Sequence, residues 1–248
     1  MSLPFSDTST YKGLVQTYER ELNLERAFIS GNTNRLKDFT AEVNLAWDKY
    51  LELALAASGT WQFDDSNHTD YPIIYTNLVS GQRDYTFTTD EQSNLILDIY
   101  RVAILPSATD TLYEDVYPVD AQSDLDVYDL VAENTETGTP YRYDKTANGI
   151  FLDPAPGYNA TSGLKVYINR EPSYFIYTDT TKKPGCPGGH HRYFVIRPAF
   201  EYARRHSLAN MQSLYNEVIR LEDEIVRYFN RRERDKKAII TSDQINHH

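Results

Sequence analysis

The stretch that decides the fold, residues 191–237, reads HRYFVIRPAFEYARRHSLANMQSLYNEVIRLEDEIVRYFNRRERDKK. Its second half repeats apolar residues at three- and four-residue steps, a spacing typical of one apolar stripe on an α-helix. The stripe consists of Met211, Leu214, Tyr215, Val218, Leu221, Ile225, Tyr228 and Phe229. The first half predicts another helix over residues 192–208, in which Pro198 either starts the regular helix or kinks it. The short connection over residues 207–210 predicts a helical hairpin.

The N-terminal quarter of the chain also has helical patterns. Residues 34–57 carry a clear apolar stripe and predict a helix that stops at Gly59. Residues 11–30 are only roughly periodic, and they predict a helix as well. Residues 1–10 are expected to form a loose arm.

From residue 61 to residue 175 the pattern changes to short apolar alternations separated by turn residues, which predict β-strands. Hairpins are expected around residues 80–82 and around residues 146–149. Further strands are expected over residues 95–105, 112–119 and 164–170. A short helix over residues 124–131, capped by Asp120, is expected between two of these strands.

The order of these elements predicts an α+β fold, with N- and C-terminal helices packed as a helical bundle and an inserted antiparallel β domain. The expected divisions are residues 1–60 (N-terminal helices, joined by residues 190–237 to form the helical part), 61–177 (β-rich domain), 178–190 (linker), 191–237 (C-terminal helical hairpin) and 238–248 (flexible tail).

Composition limits the possible classes of protein. A chain of 248 residues can bury a sizeable core as one large domain or two modest ones. It has no apolar run near the length of a membrane span and no signal-peptide pattern, so neither membrane insertion nor secretion is expected. Its single cysteine, Cys186, excludes an intramolecular disulfide and fits a reducing compartment. Its 20 tyrosines are typical of surfaces that become interfaces.

Charge is divided unevenly along the chain. Residues 1–189 have a net charge of −14 and residues 190–237 have a net charge of +4. One interpretation is an acidic soluble protein with one basic helix face. The other is a protein whose two surfaces of opposite sign meet different partners. In either case the body is too acidic for ordinary nucleic-acid binding, which needs cations on phosphates.

The residues capable of metal or catalytic chemistry form no recognised site. One acidic cluster comprises Asp64, Asp65, His68 and Asp70, but its spacing matches no known ligand set, and polar turn residues explain it. Cys186, His190 and His191 lack a fourth zinc ligand. No motif for nucleophilic catalysis, phosphate binding or dinucleotide binding occurs. We therefore predict no catalytic, cofactor-binding or metal-binding residues.

Two stretches carry a likeness to a known family. The first is WQFDDSNHTDYPI at residues 61–73, continuing into NLVSGQRDY at residues 77–85. The second begins with HRY at residues 191–193, includes AFEYA at residues 199–203 and ends with YFNRRERD at residues 228–235. Together they resemble the head-to-tail adaptor (connector, or neck) proteins of tailed bacteriophages. The likeness spans most of the chain, and its motifs are structural.

The resemblance implies a non-enzymatic structural protein of the virion neck, assembled in the host cytoplasm. Such adaptors form a ring of twelve copies on the portal protein, pass double-stranded DNA through the lumen without specific binding and receive a tail or tail-tube (nozzle) protein. No cofactor and no membrane are implied. The alternatives are an adaptor-associated peptidoglycan hydrolase and a tail-completion ring protein.

The portal-docking site is predicted at the basic end of the last helix and in the tail after it. The predicted residues are Arg231, Arg232, Arg234, Lys236, Lys237, Ile239 and Ile240. The two isoleucines in a polar tail are typical of a segment that becomes ordered only on a partner. A frayed chain end explains the same tail.

Overall fold

The structure is a computed structural model that describes residues 2–58, 73–89, 95–119, 136–146 and 148–232. Contacts between residues divide the chain into two compact units. Residues 1–61 with 174–248 form the helical unit, and residues 62–173 form the sheet unit.

The described part of the helical unit contains four α-helices. They are α1 (Leu14–Glu21), α2 (Thr33–Ser58), α3 (Tyr193–Arg205) and α4 (Met211–Arg232), with a short 3₁₀ turn at Gly188–His190. The structure confirms the helix predicted over residues 34–57. It shortens the one predicted over residues 11–30, because Asn23 adopts a left-handed φ of 53°, which an α-helix does not continue through. Helix α3 begins at Tyr193 and continues through the buried Pro198.

The core of the helical unit contains a group of large aromatic side chains among its aliphatic ones. Helix α2 packs against α3 and α4, and α1 packs against α3. Trp47 of α2 lies 4.5 Å, ring centre to ring centre, from Phe194 of α3. Tyr50 lies between Phe194 (5.5 Å) and Phe229 of α4 (6.0 Å). The predicted stripe on α4 therefore faces this core, although Tyr215 lies outside it and is 44% exposed.

Residues before α1 are part of the core, which corrects the expectation of a loose N-terminal arm. Phe5 is completely buried, and its ring stacks on Phe175 at 5.0 Å. The backbone N–H of Phe5 donates to Lys182 O at 2.7 Å, and that of Ser6 donates to Thr180 O at 3.0 Å. The arm looked loose in the sequence because its partners lie about 170 residues further along the chain.

The sheet unit contains nine strands in the described residues. They are β1 (Ile73–Leu78), β2 (Asp84–Thr86), β3 (Ile96–Ile104), β4 (Glu114–Val119), β5 (Thr137–Gly138), β6 (Arg142–Thr146), β7 (Gly149–Asp153), β8 (Ala155–Pro156) and β9 (Ala160–Arg170). Seven form one sheet in the order β1-β9-β3-β4-β6-β7-β2, and β5 pairs with β8. The predicted helix over residues 124–131 lies outside the described residues.

Strands β1 and β2 occupy opposite edges of the seven-stranded sheet, although residues 79–83 alone connect them. A connection of this length spans at most about 20 Å, so the sheet must curl to bring its two edges close. Aliphatic residues such as Val102, Leu164 and Val166 are fully buried in its core. The hairpin predicted around residues 80–82 is wrong, because β1 pairs with β9 and β2 pairs with β7.

The second predicted hairpin is confirmed. Strands β6 and β7 pair antiparallel, with Tyr143 opposite Leu152 and Thr146 opposite Gly149. Gly149 is required for close approach of the chain, because a Cβ at this position would lie 2.1 Å from Tyr85 O.

The predicted fold class is wrong. The described residues form four helices and a seven-stranded curled mixed sheet, and the helices are not an N- and C-terminal bundle with an inserted domain. The sheet is mixed because β4 pairs with β6 in parallel. Helix α1 has only eight residues, and non-helical segments containing Phe5, Phe175 and Cys186 fill part of the core that a bundle would fill with helices.

Candidate interaction surfaces

The predicted portal-docking residues stay a prediction. Arg231 is exposed in the last turn of α4, and Arg232 is the last residue of that helix. Arg234, Lys236, Lys237, Ile239 and Ile240 lie outside the described residues.

The solvent side of α4 carries a chain of alternating charges. Arg192 Nη1 lies 3.1 Å from Glu21 Oε1, and Arg192 Nε lies 3.0 Å from Glu217 Oε1. Arg220 pairs with Glu217 at 2.7 Å and also with Glu224. Hydrogen bonds from Arg220, together with those from Arg192, lower the pKa of Glu217 to about 2. Most charges of this face are thus neutralised within the molecule.

Two apolar side chains interrupt this charged face of α4. Tyr215 is 44% exposed and Ile219 is 43% exposed, and they lie one helical turn apart. They lie outside the buried row of Leu214, Val218 and Leu221 on the same helix. Tyr215 belongs to the apolar stripe predicted from the sequence, but it lies outside the buried part of that stripe.

A furrow runs between α2 and α3, and nothing in the sequence pattern indicated it. It consists of two cavities of about 290 Å³ and about 480 Å³, both of which Glu42 and Arg205 line. We name it the α2–α3 furrow. Its boundary residues include Asp38, Glu42 and Leu45 of α2 and Arg197, Glu201 and Arg205 of α3.

Tyrosines and cations cover part of the sheet surface. Lys165 Nζ lies 5.6 Å, 5.2 Å and 5.1 Å from the ring centres of Tyr75, Tyr113 and Tyr167. Interaction with the Tyr167 hydroxyl raises the pKa of Lys165. Arg101 lies over Tyr167 at 4.7 Å. Several of the tyrosines that predicted an interface therefore interact with cations of their own sheet.

Asp153 forms a buried ion pair at the end of β7. Its side chain is 1% exposed, and its Oδ2 accepts a 2.7 Å hydrogen bond from Arg142 Nε. Arg83 Nη1 approaches its other oxygen at 4.0 Å. This cluster fixes the start of β6 against the end of β7, where Arg142 and Asp153 are register partners.

The candidate metal ligands are not assembled in the described residues. Asp64, Asp65, His68 and Asp70 lie outside them. Both ring nitrogens of the buried His191 contact the backbone. The N–H of Leu3 donates to Nδ1 at 2.9 Å, and Nε2 lies 3.0 Å from the carbonyl oxygen of Cys186. No group of three potential ligands lies together in the part of the chain that the structure describes.

Comparison with known proteins gives no family for the chain. No family model matches the sequence, and no curated protein matches it. None of the described helices has both the length and the apolar character needed to cross a bilayer.

Proposed function

We propose that the chain is a structural protein of a tailed-bacteriophage virion, an adaptor that forms a ring on the portal and receives the tail. The ring continues the channel through which DNA leaves the head. The proposal begins from the likeness of residues 61–85 and 191–235 to adaptor proteins.

The division of charge between the two units is the observation that carries the proposal. The helical unit contains 19 Lys and Arg against 17 Asp and Glu, a net charge of +2. The sheet unit contains 6 against 19, a net charge of −13. A ring needs two different surfaces on each copy, because every subunit meets one neighbour with one face and the next with another. Units of opposite charge supply two such surfaces.

The same division suits a channel for DNA. A surface as acidic as the sheet unit repels phosphate, so DNA can pass along it without being held. The apolar pair Tyr215 and Ile219 of α4 is a further surface suited to contact with another protein.

Electron microscopy of phage particles that lack the protein tests the proposal. We expect DNA-filled heads that have a portal, lack tails and lose DNA on storage. Supplying the purified protein is expected to restore tail attachment. Particles with normal tails would contradict the adaptor function.

A further inference from the structure

The α2–α3 furrow combines exposed apolar surface with several arginine side chains. Leu45 is 61% exposed in the middle of α2, although its neighbours Ala46 and Trp47 are buried. A single exposed leucine needs no explanation, but this one lies in a cavity that Arg197, Arg204 and Arg205 also line.

Aromatic side chains line the other half of the furrow. Tyr18, Phe28 and Tyr202 border the cavity of about 290 Å³. The guanidinium of Arg35 lies 3.7 Å from the ring centre of Phe28, and Tyr202 lies 4.2 Å from the ring of His206. This half suits an aromatic or branched aliphatic side chain.

The furrow carries a small excess of positive charge. Its cations are Arg35, Arg197, Arg204 and Arg205, and its acids are Asp38, Glu42 and Glu201. Arg204 pairs with Glu201 at 2.7 Å, and Arg205 pairs with Glu42. The side chains of Arg204 and Arg205 are 63% and 52% exposed. The paired acids Glu201 and Glu42 are only 18% and 19% exposed. Each guanidinium has five N–H donors, so it can keep its acid and still donate to an incoming carboxylate.

The chain itself contains a segment of complementary chemistry. Residues 120–133, DAQSDLDVYDLVAE, hold five acidic residues and no basic one. Leu125, Val127, Tyr128, Leu130 and Val131 alternate with or follow these acids. The segment therefore offers carboxylates for the arginines together with aliphatic and aromatic groups for Leu45 and the aromatic cavity.

We propose that the α2–α3 furrow binds residues 120–133 of a second copy of the chain. This contact would join the helical unit of one subunit to the acidic sheet unit of the next, and so it rests on the proposed ring. It specifies the surfaces that meet in the ring and the chemistry that selects them.

A labelled synthetic peptide of residues 120–133 tests the contact by fluorescence anisotropy. The receiving protein is the full chain with Asp124→Asn, Asp126→Asn and Asp129→Asn, so that its own segment competes less. We expect saturable binding that Arg197→Glu with Arg204→Glu weakens by about tenfold or more. The control Arg227→Glu, on an exposed position of α4, is expected to leave binding unchanged.

A second peptide tests the role of charge. We expect the peptide in which all five acids are replaced by Asn or Gln to bind at least about tenfold more weakly than the native peptide. Equal binding of the two peptides, or no saturable binding of either, would overturn the proposal.

Disulfide formation distinguishes a second copy from the same chain. Leu45→Cys and Tyr128→Cys are introduced into separate chains, which are mixed and oxidised. Cys186 is fully buried and does not compete. We expect a cross-linked heterodimer, and much less of one when Ile219→Cys replaces Leu45→Cys. A bond that forms only within a doubly substituted chain would overturn the proposal.

If the furrow fails these tests and the protein still joins portal-bearing heads, the adaptor function stands and only this contact is disproved.

Discussion

The helical unit and the sheet unit differ in how they use charge. In the helical unit, cations and acids are nearly equal in number, and several pair between helices, as Arg197 of α3 does with Glu222 of α4 and Arg205 of α3 does with Glu42 of α2. In the sheet unit, acids outnumber cations by about three to one. The core of the first unit combines aromatic with aliphatic side chains, and that of the second is mainly aliphatic.

The comparison distinguishes charges that pair within the fold from charges that have no partner of opposite sign in their own unit. A sheet unit with 19 acids and 6 cations cannot pair most of its carboxylates internally. Mutual repulsion of unpaired acids destabilises a compact state, so their excess has no benefit for the fold. We infer that the acidic surface serves contacts with other molecules.

The largest expected effect is at Asp153. This acid of the sheet unit is needed for folding, and it is therefore an exception to the comparison above. It is 1% exposed and lies beside Arg142 and Arg83. We expect Asp153→Asn to lower the free energy of unfolding by about 3–5 kcal/mol, because the change leaves buried cations uncompensated. Chemical denaturation measures this loss.

Asp115→Asn is the matched control for Asp153→Asn. Asp115 pairs with Arg101 at 2.7 Å, but its side chain is 55% exposed. An exposed pair contributes about 0–1 kcal/mol. Equal losses in the two variants would show that the buried pair has no special role.

Leu221 tests how much apolar burial on α4 stabilises the helical unit. It is 4% exposed on the buried stripe of α4, and we expect Leu221→Ala to lower stability by about 2–5 kcal/mol. Ile219→Ala, two residues away on the exposed face, is expected to cost much less. Thermal unfolding of both variants checks the difference, and a Leu221→Ala protein as stable as the wild type would contradict the assignment of this stripe to the core.

The sequence was sufficient where contacts are local. Helix α2 and helix α4 carry long apolar stripes, so their existence followed from spacing alone. The turn at Asn148 and Gly149 identified the β6–β7 hairpin. The hairpin predicted from β1 and β2 is wrong because each of these strands pairs with a strand more than 60 residues away. The parallel pairing of β4 with β6 has no local signal either.

The candidate surfaces show the same limit. The α2–α3 furrow depends on Glu42 and Arg205, which are 163 residues apart, and no periodicity brings them together. The three tyrosines around Lys165 come from three separate segments of the sheet unit. Their spacing in the sequence does not predict this group, because it depends on the order of the strands in the sheet.

His190 gives the smallest expected effect. It lies in the helical unit with Nδ1 2.6 Å from Tyr50 Oη, and its ring faces Tyr228. Burial lowers the pKa of His190 below its ordinary value of 6.5, although Glu224 opposes the shift. The unfolded chain therefore takes up this proton at a higher pH than the folded chain does. The contribution to stability is complete above pH 6.5 and falls as the pH drops through the folded pKa.

Melting temperatures between about pH 7.5 and about pH 5.5 measure this effect. We expect His190→Gln to reduce the slope of stability against pH in this range. A His190→Gln slope equal to that of the wild type would assign the pH dependence to other groups.

The basic end of α4 offers a test that depends on ionic strength. Replacing Arg231, Arg232, Arg234, Lys236 and Lys237 with Ser is expected to weaken docking on the portal. The loss is expected to be larger at low salt than at high salt, because ions already screen much of the attraction at high salt. A loss independent of salt would indicate that these cations do not act through charge.

Co-sedimentation with DNA-filled, tailless heads that carry a portal tests the central claim most directly. The full-length protein is expected to sediment with the heads at about twelve copies per head. The chain shortened to residues 1–237 is expected to fold but stay in the supernatant, because it lacks Ile239 and Ile240. Binding of the shortened chain at wild-type level would place the docking surface elsewhere. Full-length protein that remains in the supernatant would contradict the adaptor function itself.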